Sequence, residues 1–130
     1  MATSLDSRRT LGELGERMAA QHLARAGYEI LGTNFRTRFG ELDLIAADAQ
    51  HLVFCEVKTR IAGTRRGPAG PFDAIGPRKR AQVRAMAREW LTSPEAATRP
   101  RRPQLRFDAI GVLISRGGRL VSLEHMENAF

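Results

Sequence analysis

Residues 40–60 read GELDLIAADAQHLVFCEVKTR. Two apolar runs, 41–47 and 52–59, flank a polar centre, Asp48-Ala49-Gln50-His51, which is the pattern of a β-hairpin. Ala-Gln is not a favoured two-residue turn, so the turn type stays open. Alternation puts Val53, Cys55 and Val57 on one face of the second strand and Phe54, Glu56 and Lys58 on the other. In the first strand Leu42, Leu44 and Ala46 alternate with Glu41, Asp43 and Ile45. A loop symmetric about Ala49-Gln50 pairs positions 48 and 51. Asp43 then falls opposite Glu56 on the same face, with Cβ atoms about 5 Å apart.

A cross-strand salt bridge would account for a single charged pair on such a hairpin. Two facing acids repel each other and destabilise the ladder. A cation between them removes the repulsion, and a hard dication such as Mg²⁺, or Mn²⁺ in its place, takes carboxylate oxygens while keeping several waters. Lys58 adds to this. Of 21 Lys plus Arg, only Lys58 and Lys79 are lysines. In so Arg-biased a chain, a lysine suggests a compact point charge that a planar guanidinium does not replace.

The 130 residues fit one domain able to bury its own core. The net charge of +7 is uneven: residues 1–60 carry eight basic and eight acidic groups, and residues 61–130 carry 13 and six. An acidic pocket on a neutral half beside a basic half suits a polyanionic partner such as nucleic acid. The single cysteine excludes an intramolecular disulfide and a cysteine-based zinc site. Cys55 reads as a small core hydrophobe. His22, His51 and His125 form no HxxxH pair and read as ordinary. No stretch approaches the ~20 apolar residues of a membrane span, and the first residues lack an apolar signal region. A soluble, cytoplasmic protein is expected.

Residues 1–9 read as a polar, mobile tail and residues 10–130 as the domain. Thr10 and Glu13 match a capping box for a helix running to about Ala26, with Gly27 just past its end. Its inward stripe is Leu11, Leu14, Gly15, Met18, Ala19, His22, Leu23 and Ala26. Glu16 lies at the edge of that stripe, where an acid needs a partner; a salt bridge to an Arg and a functional role are equally open. Residues 28–34 read as a strand feeding an Arg-bearing turn, 35–39. After the hairpin, residues 61–77 form a Gly/Pro-rich loop in which Arg65 and Arg66 either close over a phosphate backbone or are solvated.

A second helix, with Pro77 at its first position, runs to about Leu91. Lys79, Val83, Met86 and Trp90 share its inward face, and Arg80, Arg84 and Arg88 form a stripe beside it. A basic stripe is commonly a solvated face; next to an acidic pocket it suits a phosphate track. A basic loop, 93–103, precedes a long strand, 104–115, carrying Arg106 and Asp108, and then a last strand, 120–123. The order is α-β-β-β-α-β-β, an α/β fold with a mixed central sheet flanked by helices.

Asp43, then Glu56-Val57-Lys58 on the next strand, resembles the signature of the PD-(D/E)xK nuclease superfamily, and Glu16 resembles the helix glutamate of its archaeal Holliday-junction resolvase branch. GxxGE (12–16), GY (27–28), Asn34, GExDL (40–44), FxEVKTR (54–60), Lys79 and RFD (106–108) together resemble the YraN family of bacterial predicted endonucleases. Cys55 departs from the valine that the pattern favours, as does the Gly/Pro-rich loop at 63–71.

The resemblance implies a restriction-endonuclease-like fold and Mg²⁺- or Mn²⁺-dependent hydrolysis of a nucleic-acid phosphodiester, with DNA, branched DNA included, as the substrate. Glu16, Asp43, Glu56 and the Val57 carbonyl would hold the metal, with Lys58 as the catalytic lysine. Arg65, Arg66, Lys79, Arg80, Arg84 and Arg88 would contact the backbone, and Glu41, Arg60, Arg106 and Asp108 would support the site. Asp108 would orient Lys79 or Arg106, or form a structural salt bridge. Two other readings stay open: a nucleic-acid-binding module without turnover, and a subunit that works only with a protein partner. Junction resolvases imply a homodimer, although the chain shows no heptad or apolar seam. No aromatic-rich stacking platform appears, which disfavours a general single-strand binder.

Overall fold

The computed structural model describes residues 4–63, 76–101 and 103–130. The loop arginines Arg65 and Arg66 lie outside the described residues. The elements run α1 (Ser4–Arg25), β1 (Glu29–Thr37), β2 (Gly40–Ala47), β3 (His51–Ile61), α2 (Pro77–Leu91), a 3₁₀ turn (Pro94–Thr98), β4 (Gln104–Ile114) and β5 (Leu120–Met126). This is the expected α/β order. One five-stranded sheet is ordered β1-β2-β3-β4-β5, antiparallel except for the parallel β3–β4 pair. A parallel pair needs a crossover, and α2 supplies it.

The central hairpin has the expected register, with Leu44 opposite Cys55 and Ala47 opposite Leu52. Its turn works because Asp48 supplies the chemistry that Ala-Gln lacks. Asp48 Oδ1 accepts from the N–H groups of Gln50 (2.9 Å) and His51 (2.6 Å), an Asx turn.

The two sheet faces carry separate cores. Leu44, Ala46, Val53, Cys55, Ile110, Val112 and Ile114 meet Ala19 and Leu23 of α1. Ile45, Ala47, Leu52, Phe54 and Phe107 meet Val83, Met86 and Trp90 of α2. One expectation is corrected: Leu42 packs with the α2 core rather than beside Leu44 and Ala46. The pairing of β1 with β2 passes from Thr33–Leu44 to Phe35–Leu42, and Asn34 between them has φ 52°. That left-handed residue breaks the pleat, so alternation reverses at this point. β1 also continues to Thr37, past the turn expected at 35–39.

A second correction concerns α1, which begins at Ser4 rather than after a Thr10 cap. Thr10 is therefore inside the helix. Glu13 faces Arg9 one turn earlier, with a 3.4 Å contact, an i,i+4 pair that supports the longer helix. The C-terminal end is as expected: Gly27 has φ 99° and Tyr28 N–H donates to Leu23 O at 3.0 Å, a Schellman closure. No described helix is long and apolar enough to cross a membrane.

Gly15 sets how closely α1 approaches β3. A Cβ built on it would fall 1.9 Å from Thr59 Oγ1 and 2.8 Å from Thr59 Cβ. Gly15→Ala should therefore destabilise the fold by about 1–3 kcal/mol, the usual range for overpacking, and urea denaturation measures it. An unchanged midpoint would mean that α1 is free to shift.

Candidate functional site

The pairing of β2 with β3 stops at Leu44–Cys55. Beyond it the Asp43 carboxylate accepts the N–H of Val57 at 2.7 Å through Oδ2. The break at Asn34 lies across β1 from this point. The Asn34 side chain also lies close enough to Glu16 of α1 to favour its carboxylate form. Glu16, Glu41 and Asp43 thereby converge, with one carboxylate oxygen of each lying within 4.8 Å of the others.

Among the described residues neither Glu16 nor Asp43 is paired with a cation, and Glu41 has only the exposed Arg36, at 3.6 Å. Burial raises Asp43, and the neighbouring Glu56 raises it further; the Val57 N–H opposes the shift, and Glu16 and Glu41 add to it. The result is pushed up to about 7. Glu16 is also raised, first by burial and then, against the nearby Asn34 side chain, by Glu41, Glu13 and Glu56. A cluster of hard oxygen donors whose repulsion is only partly relieved fits a dication such as Mg²⁺.

Glu56 is only 7% exposed, and its carboxylate meets Lys79 Nζ of α2 at 3.1 Å. It stands beside the trio rather than in it. Glu41, expected only as a support, takes that third position. The signal was present, because positions 41 and 43 are two apart on one strand and share a face. Lys58 is exposed at the end of β3 and pairs with no carboxylate among the described residues. Arg60 borders a separate cleft with Gly111, Leu113 and Glu124.

All three arginines of the basic stripe, Arg80, Arg84 and Arg88, are exposed. Arg84 is not a free cation: its guanidinium lies 4.5 Å over the Phe107 ring and donates to Phe130 O at 3.0 Å.

Arg106 and Asp108 form a second charged centre, separate from Lys79. Both are buried, and Arg106 reaches Asp108 through Nε and Nη2 at 3.0 and 2.9 Å. Arg106 also donates to Tyr28 Oη at 2.6 Å. Asp108 accepts from His125 Nε2 at 2.7 Å and from Asn128 N–H at 3.1 Å. His125 Nδ1 in turn faces His22 Nε2 at 3.1 Å. Burial pushes Asp108 up, but the hydrogen bonds from His125, Arg106 and Asn128 outweigh it and hold the carboxyl below its ordinary value. Two of the histidines expected to be ordinary, His22 and His125, thus belong to a partly buried hydrogen-bonded chain, while His51 pairs with Asp48 at the hairpin turn. No local motif joins His22 to His125, 103 positions away.

The two centres should respond oppositely to loss of a charge. Asp43 has a folded pKa of about 7 against an ordinary 3.8. The folded state therefore holds the extra proton between those values, and stability falls as pH rises through them. In metal-free buffer at pH 8, Asp43→Asn should be more stable than wild type by on the order of 2 kcal/mol, the gain shrinking toward pH 4. Asp108→Ala leaves Arg106 buried without its carboxylate and should cost about 3–5 kcal/mol. Thermal denaturation across pH measures both, and a destabilised Asp43→Asn at pH 8 would contradict the reading of the trio.

Residues 15–112 match the model of the uncharacterised protein family UPF0102. A UPF0102 protein of Frankia casuarinae is 47% identical over 122 residues, covering 92% of this chain and 95% of its own length. One from Acidothermus cellulolyticus is 43% identical over 87% of this chain and 88% of its own length. One from Pelotomaculum thermopropionicum is 41% identical over 96% and 98%. The matched span contains Glu16, Glu41, Asp43, Glu56, Lys58 and Lys79, and on these similarities the chain belongs to the UPF0102 family.

Proposed function

We propose that this protein is a metal-dependent endonuclease that hydrolyses DNA phosphodiester bonds on a restriction-endonuclease-like fold, as its likeness to the YraN family and the PD-(D/E)xK pattern implies. The observation that carries the reading is the convergence of Glu16, Glu41 and Asp43 within 4.8 Å, with Asp43 pushed up to about 7. Acids forced together with one exposed arginine, Arg36, on Glu41, on a chain of net charge +7, suit a site that brings a dication to a polyanion.

Glu16, Glu41 and Asp43 would hold Mg²⁺ or Mn²⁺. Glu56 and the Val57 carbonyl complete the proposed donor set, with Lys79 competing for Glu56. When bound, the dication supplies Lewis-acid chemistry, neutralising phosphoryl charge and acidifying water. The remaining work falls to the chain. Lys58 offers an ammonium to the negative charge that develops on the phosphate. Arg80 and Arg88, exposed on α2, seat the backbone. A homodimer would present two such sites to a branched substrate, and a cytoplasmic location accords with a DNA substrate.

A second reading has one observation in its favour. Glu56 is engaged by Lys79 and Lys58 stands clear of the carboxylates, which suits a DNA-binding module without turnover or a subunit completed by a protein partner. The test is cleavage of end-labelled junction, flap, duplex and single-stranded DNA with Mg²⁺ or Mn²⁺. Wild type should cut, Asp43→Asn and Glu56→Ala should fall to background, and Lys58→Ala should lose on the order of 10²-fold or more. Normal cutting by Glu56→Ala would overturn the mechanism. Salt-sensitive binding that persists in EDTA, with no cutting by any variant, would favour the binding module.

A further inference from the structure

The tip of the β1–β2 hairpin, Thr37–Gly40, is held firmly yet exposes an aromatic ring. Thr37 Oγ1 donates to Gly40 O at 2.8 Å and accepts from Phe39 N–H at 3.0 Å. Gln82 Nε2 of α2 donates to Phe39 O at 2.6 Å. Gly40 has φ 133°, a backbone conformation that requires glycine. The backbone is thus fixed from three directions while Phe39 remains 41% exposed.

Two arginines and one glutamate surround the ring. The Arg38 guanidinium lies 5.0 Å from the Phe39 ring centroid and is itself anchored to Glu89 of α2 at 3.1 Å. Arg88 borders the same shallow groove between the tip and α2. Two residues past Phe39 in the chain comes Glu41, a member of the acid trio. An exposed aromatic ring with one anchored guanidinium against it and a second nearby, attached to the strand that carries the acids, has the chemistry of a base-stacking post.

From this arrangement we propose that Phe39 stacks on an unpaired DNA base next to the phosphate presented to the acid trio. The inference rests on the endonuclease reading above and specifies its substrate: a strand with an unpaired base, as at a flap or branch, rather than continuous duplex. A lone ring accommodates one base and is no platform for a long single strand.

Binding without turnover tests it. Fluorescence anisotropy in EDTA would compare a 5′-flap DNA with a duplex of matched length, for wild type, Phe39→Ala and Phe39→Trp. Wild type should prefer the flap. Phe39→Ala should lose on the order of 10-fold on the flap and little on the duplex, and Phe39→Trp should retain the preference. An abasic site in place of the unpaired base should weaken wild type by a similar factor without weakening Phe39→Ala further. Phe39→Ala binding the flap as wild type does, or losing equally on flap, duplex and abasic DNA, would overturn the stacking role alone. Failure of wild type to bind any of these DNAs would remove the nucleic-acid reading and this inference with it.

Discussion

A carboxylate taken out of water must gain a partner or keep its proton. Asp108, fully buried, has Arg106, His125 and the Asn128 N–H. Glu56 has Lys79. Among the described residues no buried side-chain nitrogen or oxygen lacks a hydrogen-bond partner. Against that background Asp43 stands apart, because its stabilising contact is a single backbone N–H while three acids act against it. Packing does not require this. A chain that supplies Arg106 to one buried aspartate could equally have supplied a cation to another.

The left-handed Asn34 helps to bring the trio together. A regular β1–β2 pairing would keep Leu42 in the α1 core with Leu44 and Ala46. The reversal at Asn34 sends Leu42 to the α2 core instead, and the pairing of β2 with β3 ends next to it, at Leu44. The Asp43 side chain, rather than a β2 carbonyl, then meets Val57 N–H. The Asn34 side chain also lies near the Glu16 carboxylate, while the absence of a Cβ at Gly15 lets α1 approach Thr59. One irregular residue and one glycine therefore align an acid from α1 with two from β2.

What could be read from the sequence follows from how local each signal is. The register of the central hairpin follows from strand alternation and loop symmetry, and both ends of α2 follow from Pro77 and its apolar stripe. The face of Leu42 could not be derived that way, since a φ of 52° at Asn34 leaves no period to read. The start of α1 was obscured because Thr10 and Glu13 fit a capping box as well as they fit a helix interior carrying an Arg9–Glu13 pair. The convergence of Glu16 with the hairpin could be suspected from its place at the edge of the buried stripe. The grouping of Glu41 with it, and of His22 with His125 and Asp108, depends on tertiary placement across the sheet.

The charge balance of the chain has a structural counterpart. Several arginines of the fold are already engaged: Arg36 with Glu41, Arg38 with Glu89, Arg84 with Phe107 and Phe130 O, and Arg106 with Asp108. Surface pairs such as Arg36–Glu41 are weak and exchange readily when a stronger anion arrives. In the proposed endonuclease, a phosphate approaching the trio would draw Arg36 from Glu41, freeing that carboxylate for a cation just as the local positive charge gains a new partner. Anion and cation would then bind cooperatively without any change of fold, because each removes the other's competitor. The same exchange cannot occur at Asp108, whose partner is buried with it. Of the two charged centres, only the one beside the hairpin tip has partners that solvent and ligands can displace.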